Sequence, residues 1–385
     1  MNIFNIDDVA LLLVIFQSFL LGSLLLIINH GKKVSRRLLS VFLFAIGFDA
    51  LDTLLFWNSE IKTKVFFDAI YIFYIFKFSV FLTAPTLFLY IKSILYADFS
   101  LSKKDFLHFI PLCLFPFFLW GLVATLGENQ MHRALIEYGL LFQSPLFQLY
   151  LWTRHALYLG YGVAGLILIL RYRERLKQGY SNIENIDQSW LMILAYGFLA
   201  IWLGVFSSYI GHKVFNSFPF SNAMGVIGNY LNFIFINAIV VYSLVKSNIF
   251  QGIKEEKELK EEIDSDTVLE EDIQFLEEDI QRLEKSMAID LLYLEPELTL
   301  EQLANHTGIS TRQISTIVNR RFNKNFFEFV NDYRVAKAKE LLEITDKPIP
   351  MLDVMADAGF NSKSTFNRFF KKATGTTPTE YRKSK

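Results

Sequence analysis

Apolar residues along this 385-residue chain follow two patterns, and one gives way to the other near residue 250. Before that point they gather into about seven runs, at 9–29, 38–57, 66–91, 106–126, 148–170, 190–210 and 225–245. Each run is long enough to cross a bilayer. The bilayer core offers backbone polar groups no partner outside the segment, so each run is expected to be a helix. Beyond residue 250 the apolar residues are sparser and recur three and four positions apart, the spacing of short amphipathic helices. The expected fold class is all-α. A polytopic membrane domain of about seven spans occupies 1–248, an acidic helical linker 249–289, and a compact helical domain 290–385.

Within the last domain the pattern occurs twice. Leu300, Leu303 and Ala304 form the inward face of a short helix, and Thr307-Gly308-Ile309 makes a turn with a glycine suited to positive φ. Ser310 opens a second helix, with Gln313 three residues on completing a capping box. There Ile314, Ile317 and Val318 face inward, while Arg312, Ser315, Thr316 and Asn319 face out. A long helix over Phe326–Leu342 follows, with Phe326, Val330, Tyr333 and Leu341 inward. Pro350 suits a first helical position, Met351, Val354 and Met355 line a second support helix, and Gly359-Phe360-Asn361 turns. The closing helix, from about Ser362 to Lys372, turns Phe366, Phe369 and Phe370 inward and Lys363, Ser364, Thr365 and Arg368 outward. These are two successive helix-turn-helix units.

Charge adds a direction to the membrane half. The formal net charge of -1 conceals 18 basic against 13 acidic residues in 1–249, 5 against 16 in 250–295, and 15 against 10 in 296–385. Basic residues cluster after the first run (Lys32, Lys33, Arg36, Arg37), the third (Lys92, Lys103, Lys104) and the fifth (Arg171, Arg173, Arg175, Lys177). Lys246 closes the seventh, and the alternate loops hold fewer. The positive-inside rule then puts the N-terminus outside and the C-terminus in the cytoplasm of a multi-pass inner-membrane protein. Asp7 and Asp8 precede the first run, which ends without a small-x-small cleavage site, so a retained span is expected.

Ionisable residues inside spans are expensive and therefore informative. Asp49 and Asp52 lie three apart on one face of the second run, and Lys77 lies near mid-depth in the third. They are a candidate intramembrane sensor, a charge network lining a ligand pocket or a proton-sensitive switch; the competing reading is an ion pair that only fixes helix register. Arg154 and His155, near the outer mouth of the fifth run, read as headgroup anchors. Asn222, Gly225, Asn229 and Asn232 form a stripe expected to act as interhelical glue.

In the linker, Leu269, Ile273, Leu276, Ile280, Leu283 and Met287 form a heptad seam of the kind that favours parallel dimers. Against a homodimer stand Glu270, Asp272, Glu277, Asp279 and Glu284 at the flanking positions. The alternative is a helix that packs its stripe on the following domain. Both readings stay open.

A hydrophobic fraction of 52% is too high for an ordinary soluble chain of this length. Cys113, the one cysteine, excludes an intramolecular disulfide and any Cys-based zinc or iron–sulfur cluster within one chain. No HExxH-like spacing, hydrolase triad or phosphate-cradling glycine loop occurs. No enzyme activity, metal or cofactor is expected.

The last hundred residues resemble the DNA-binding domain of AraC/XylS-type transcription regulators, in the membrane-anchored variety with a multi-span N-terminal half. The resemblance covers roughly 290–385. It rests on Leu-Thr-Leu-x-x-Leu-Ala at 298–304, on Arg334, Ala338 and Leu341-Leu342, and on Gly359-Phe360. Phe366, Phe369-Phe370-Lys371-Lys372 and the ending Gly375-Thr376-Thr377-Pro378-Thr379-Glu380-Tyr381-Arg382 complete it. Asn323 and Met355 depart from the family's usual Gly and Ala. The resemblance implies a rigid central helix presenting two recognition helices to successive major grooves of double-stranded promoter DNA. Base-reading candidates are then Arg312, Ser315, Thr316 and Asn319, and Lys363, Ser364, Thr365 and Arg368, since Arg suits guanine and Asn adenine. Arg320, Lys371 and Lys372 suit phosphates, which position without specifying.

The reading that joins the halves is a membrane-bound one-component regulator. Its expected partners are promoter DNA, membrane lipid, a small-molecule or envelope signal, a second copy if the linker dimerises, and RNA polymerase if it activates. A transporter or membrane enzyme with an appended regulatory domain is the alternative, and proteolytic release by cleavage in 250–268 is a third course.

Overall fold

The computed structural model describes residues 4–27, 32–58, 60–61, 74–96, 98–136, 140–183, 189–245, 277–343 and 349–384. Among these residues the chain is all-helical, with no strand. Internal contacts divide it into two compact units, Met1–Ile169 with Gln188–Glu255, and Leu170–Asp187 with Glu256–Lys385.

The first unit contains α1 (Ile6–Ile27), α2 (Lys33–Trp57), a 3-10 turn (Phe76–Ser79) running into α3 (Val80–Leu95), and α4 (Ile110–Ile136). It also contains most of α5 (Pro145–Gly179), then α6 (Ser189–Lys213) and α7 (Phe218–Val245). Seven helical segments here are long and apolar enough to cross a membrane, and they fall on the seven apolar runs of the sequence. Of the third run, residues 66–73 lie outside the described residues, and its helix continues to Leu95. The fourth is interrupted at Gly127, whose φ of 71° and ψ of 159° are not helical. Helix α1 packs along α2 and α7, α2 against α3, and α6 against α7. Small residues set the closest approach: a Cβ on Gly204 would come within 3.1 Å of the Gly228 Cα, so α6 and α7 touch backbone to backbone. A Cβ on Gly225, in the predicted stripe, would meet the Trp57 ring at 3.2 Å. Hydroxyls add short bonds between helices, such as Ser40 Oγ donating to the Gly22 carbonyl at 2.7 Å.

The second unit is built from α8 (Glu277–Ala288), α9 (Leu300–Thr307), α10 (Thr311–Arg321), α11 (Phe326–Glu343), α12 (Met351–Asp357), α13 (Lys363–Thr374) and α14 (Pro378–Lys383). Capping boxes start three of them: Thr299 with Gln302, Ser310 with Gln313, and Thr377 with Glu380. Gly308 ends α9 at φ 69°, as its turn requires. Gly359 has φ 82°, and a Cβ there would lie 2.6 Å from the Tyr293 carbonyl oxygen, so both conformation and space demand glycine. Asn323, in the usual glycine position, takes φ 52°.

One apolar core joins Leu303, Ile314, Ile317, Val318, Phe326 and Val330 with Ile280, Leu283 and Met287 of α8. The described part of the heptad seam is thus a face packed on its own domain, as the second reading of the linker expects. Leu269, Ile273 and Leu276 lie outside the described residues. In the second half of the unit Phe360, Phe366, Phe370 and Tyr381 form a chain of ring contacts. At the end of α11 it is Leu342 that is buried, while Leu341 is half-buried.

A segment far away in sequence completes this unit. Residues 180–183, which follow α5, lie across it: Ser181 N–H donates to the Leu298 carbonyl at 3.1 Å, and Asn182 Nδ2 to Asn361 Oδ1 at 2.7 Å. Arg334, only 1% exposed, is the hub beneath this strap. Its guanidinium donates to the carbonyls of Tyr293 (2.7 Å), Glu295 (2.7 Å) and Pro296 (3.3 Å), and to Ser181 Oγ (3.1 Å). Asn331 Nδ2 also donates to the Ser181 carbonyl, at 3.0 Å. Burial lowers the Arg334 pKa to about 10, which leaves the group protonated at neutral pH.

Candidate nucleic-acid interface and buried charge site

The Ser310 cap fixes the start of α10 and its three buried aliphatics fix its rotation. Arg312, Asn319 and Arg320 are consequently exposed, and Ser315 and Thr316 half-buried beside them. Two of these groups hold local partners: Thr316 Oγ1 donates to the Arg312 carbonyl (2.7 Å) and Asn319 Nδ2 to Ser315 Oγ (3.4 Å). In α13, Phe366, Phe369 and Phe370 turn inward and leave Lys363, Ser364, Arg368, Lys371 and Lys372 exposed. The Arg368 guanidinium lies over the rings of Phe327 (5.7 Å) and Phe369 (5.5 Å), which support its stem and leave its donors at the surface.

Two expectations change here. Thr365 is 3% exposed and therefore not a base reader in this structure. It stands four residues before Phe369, on the same helical face, and its N–H is capped by Ser362 Oγ at 3.3 Å. Lys372 is already paired with Glu328 at 2.9 Å across α11 and α13, so a phosphate would have to compete with that carboxylate. The ion pair and hydrogen bond hold the Glu328 carboxyl below its usual range.

Two capped helix-turn-helix units in series, with one long buried helix between them, define a tandem helix-turn-helix domain. Residues 303–384 match the family model described as a helix-turn-helix domain. Among curated proteins, YkgA of Escherichia coli (strain K12), named as an HTH-type transcriptional regulator, is 33% identical over 89 residues, 23% of this chain and 36% of that protein. YtdP of Bacillus subtilis (strain 168), an uncharacterized HTH-type transcriptional regulator, is 33% identical over 91 residues, 24% of this chain and 12% of that one. The arabinose operon regulatory protein of Salmonella typhimurium is 31% identical over 83 residues, 22% of this chain and 29% of the relative. The chain thus spans little more than a third, at most, of the length of these relatives. No solved structure matches the chain significantly.

The first unit contains a separate charged site. Lys77 Nζ reaches both oxygens of Asp52, at 3.0 and 2.9 Å, with both side chains almost fully buried. Asp49 pairs instead with Arg154 of α5, at 3.5 Å. Positions three apart on a helix diverge by about 60°, enough to send one carboxylate toward the 3-10 turn and the other toward α5. Beside these pairs is a cavity of about 150 Å3 whose walls include Asp52, Lys77, Arg154, His155, Ser208, Tyr209 and Asn229.

Arg154 and His155 were expected at a headgroup boundary and lie inside. His155 is 5% exposed, between the rings of Phe206 (5.1 Å) and Tyr209 (5.2 Å). Arg154 Nε, His155 Nδ1 and the Tyr209 hydroxyl are buried without a hydrogen-bond partner among the described residues. The signal for Arg154 was present in the sequence: a second buried carboxylate beside Lys77 calls for a second cation.

Proposed function

We propose that this protein is a membrane-bound one-component transcription regulator of the AraC/XylS type. The observation that carries the reading is a tandem helix-turn-helix domain with two exposed recognition faces in the same chain as seven bilayer-length apolar helices. In this reading the seven helices hold the chain in the inner membrane, N-terminus outside and C-terminus in the cytoplasm. The charge site at Asp49, Asp52 and Lys77, joined by Arg154, is the sensor. The faces of α10 and α13 read promoter DNA, through Arg312, Ser315, Thr316 and Asn319 on one and Lys363, Ser364 and Arg368 on the other. Arg320 and Lys371 hold phosphates. The signal reaches the DNA-reading unit at residues 180–183, where Ser181 and Asn182 grip Arg334 and the second turn. A coupling of about 1–3 kcal/mol is enough for such a switch.

The test is DNA selection from a random duplex library by the full-length protein in lipid nanodiscs. The expected yield is a pair of motifs about one helical turn, ~34 Å, apart. Arg312→Ala should relax one motif and Arg368→Ala the other. Recovery of sequences with no common motif, bound only in proportion to low salt, overturns the reading.

A further inference from the structure

The charge site has the features of a binding site for a small molecule, and its unpartnered groups indicate which kind. Lys77 is matched by Asp52, which uses both carboxylate oxygens on it. Arg154 is matched less fully: its Nη2 pairs with Asp49 at 3.5 Å, and its Nε has no hydrogen-bond partner among the described residues. Nε and one Nη form the planar fork with which arginine takes a carboxylate through two parallel hydrogen bonds. The Tyr209 hydroxyl, on a residue 7% exposed, also lacks a partner and belongs to the same wall. On the cavity wall Lys77 and Arg154 stand with the carboxylate of Asp52, and Asp49 pairs with Arg154 outside the wall. A cationic guest would meet two cations whose carboxylates, Asp52 and Asp49, are already engaged. An anionic guest meets an under-used guanidinium and a spare hydroxyl.

The rest of the wall limits the guest's body. Phe56, Trp57, Phe147 and Tyr150 supply apolar surface around a volume of about 150 Å3, and an apolar cavity of roughly that volume holds a benzene-sized molecule. We infer that this cavity binds a small organic monocarboxylate with a compact apolar body, its carboxylate on Arg154 and Tyr209 and its body among the aromatic rings. The inference rests on the sensor reading given above and names the chemical class of the signal.

The experiment uses full-length protein in nanodiscs and follows tryptophan fluorescence, since Trp57 lines the cavity. The probes are butyrate, hexanoate and cyclohexanecarboxylate, with cyclohexanecarboxamide as neutral isostere, cyclohexylmethylamine as cation and inorganic phosphate as an anion without a body. At least one carboxylate should saturate, and the amide, amine and phosphate should bind at least about tenfold more weakly. Arg154→Gln should weaken the carboxylate by about tenfold or more. Tyr209→Phe, which leaves the Asp49 pair untouched, should weaken it severalfold with unchanged melting of the free protein. Failure of all three carboxylates to bind overturns the inference, as does equal binding of the amide or indifference to both substitutions. DNA affinity with and without the bound carboxylate is read separately. A change supports the sensing role, while unchanged affinity with intact binding overturns that role and leaves the site.

Discussion

Arg334 is a buried cation with no carboxylate among its hydrogen-bond partners in the described residues; its donors end on backbone carbonyls and on the side chains of Ser181 and Asn331. Charged donors on buried carbonyls are worth ~1.5–3 kcal/mol each, so Arg334→Met should destabilise the second unit by about 3 kcal/mol or more. Lys in its place supplies no fork and should not rescue; hydrogen exchange across α9–α14 in the full chain measures both. Gly359→Ala should cost about 2 kcal/mol or more in the same assay, from left-handed backbone plus contact with the Tyr293 carbonyl. Acid should loosen this unit as well. The folded-state pKa values of Glu328 and Glu380 are lowered, the first by its bond to Lys372 and the second by its bonds to Thr377. Their contribution is complete above the ordinary glutamate pKa and disappears as pH falls through the lowered values. Melting temperature should drop below about pH 4.5, and less steeply in Glu328→Gln. Several single residues were legible beforehand. Asn323 at positive φ agrees with its standing where the resembled family has Gly, and the Asp52–Lys77 pair followed from the scarcity of charges in apolar runs. Thr365 was misread because a polar side chain beside a basic one looks outward, whereas its four-residue spacing to Phe369 turns it in.

Among the elements, the capped helices were the clearest in sequence, because a capping box and an aliphatic triplet fix both the start and the rotation of a helix. The two recognition helices should separate specificity from affinity. Arg312→Ala on α10 should cost about 1–3 kcal/mol on the preferred sequence and relax one half-site. Lys371→Ala on α13 should weaken all sequences alike and lower the salt slope by about 1; titrations at several salt concentrations distinguish them. Helix α8 was ambiguous, since a three-four repeat serves a partner helix or its own domain equally well. Its burial against Leu303 and Ile314 was not legible, because periodicity marks an apolar face without naming what covers it. Leu283→Ala, at a side chain with 0% exposure, should therefore lower the stability of the second unit by about 2–5 kcal/mol. A coiled-coil seam would instead lose dimer at unchanged domain stability, which sedimentation alongside melting would reveal.

At the scale of the molecule, hydropathy announced seven long apolar helices and a helical C-terminal domain, because length and periodicity are properties of the local chain. It could not announce the strap. Ser181 and Asn182 hold Arg334, Asn331 and Asn361 through a carbonyl, a hydroxyl and an amide, groups that leave no signature in a sequence. The chain therefore enters its C-terminal unit twice, through Leu170–Asp187 and again from Glu256. This bears on what a protease could accomplish. A cut in 250–268 severs one covalent path, while residues 180–183 remain joined to α5 and hydrogen-bonded to the cut fragment. In the membrane-bound reading proposed above, cleavage at a site introduced there should leave the fragment in the membrane fraction, and Ser181→Pro with Asn182→Ala should let it go. A nick alone thus makes a two-chain complex rather than a diffusible messenger, and departure requires a second event at Arg334.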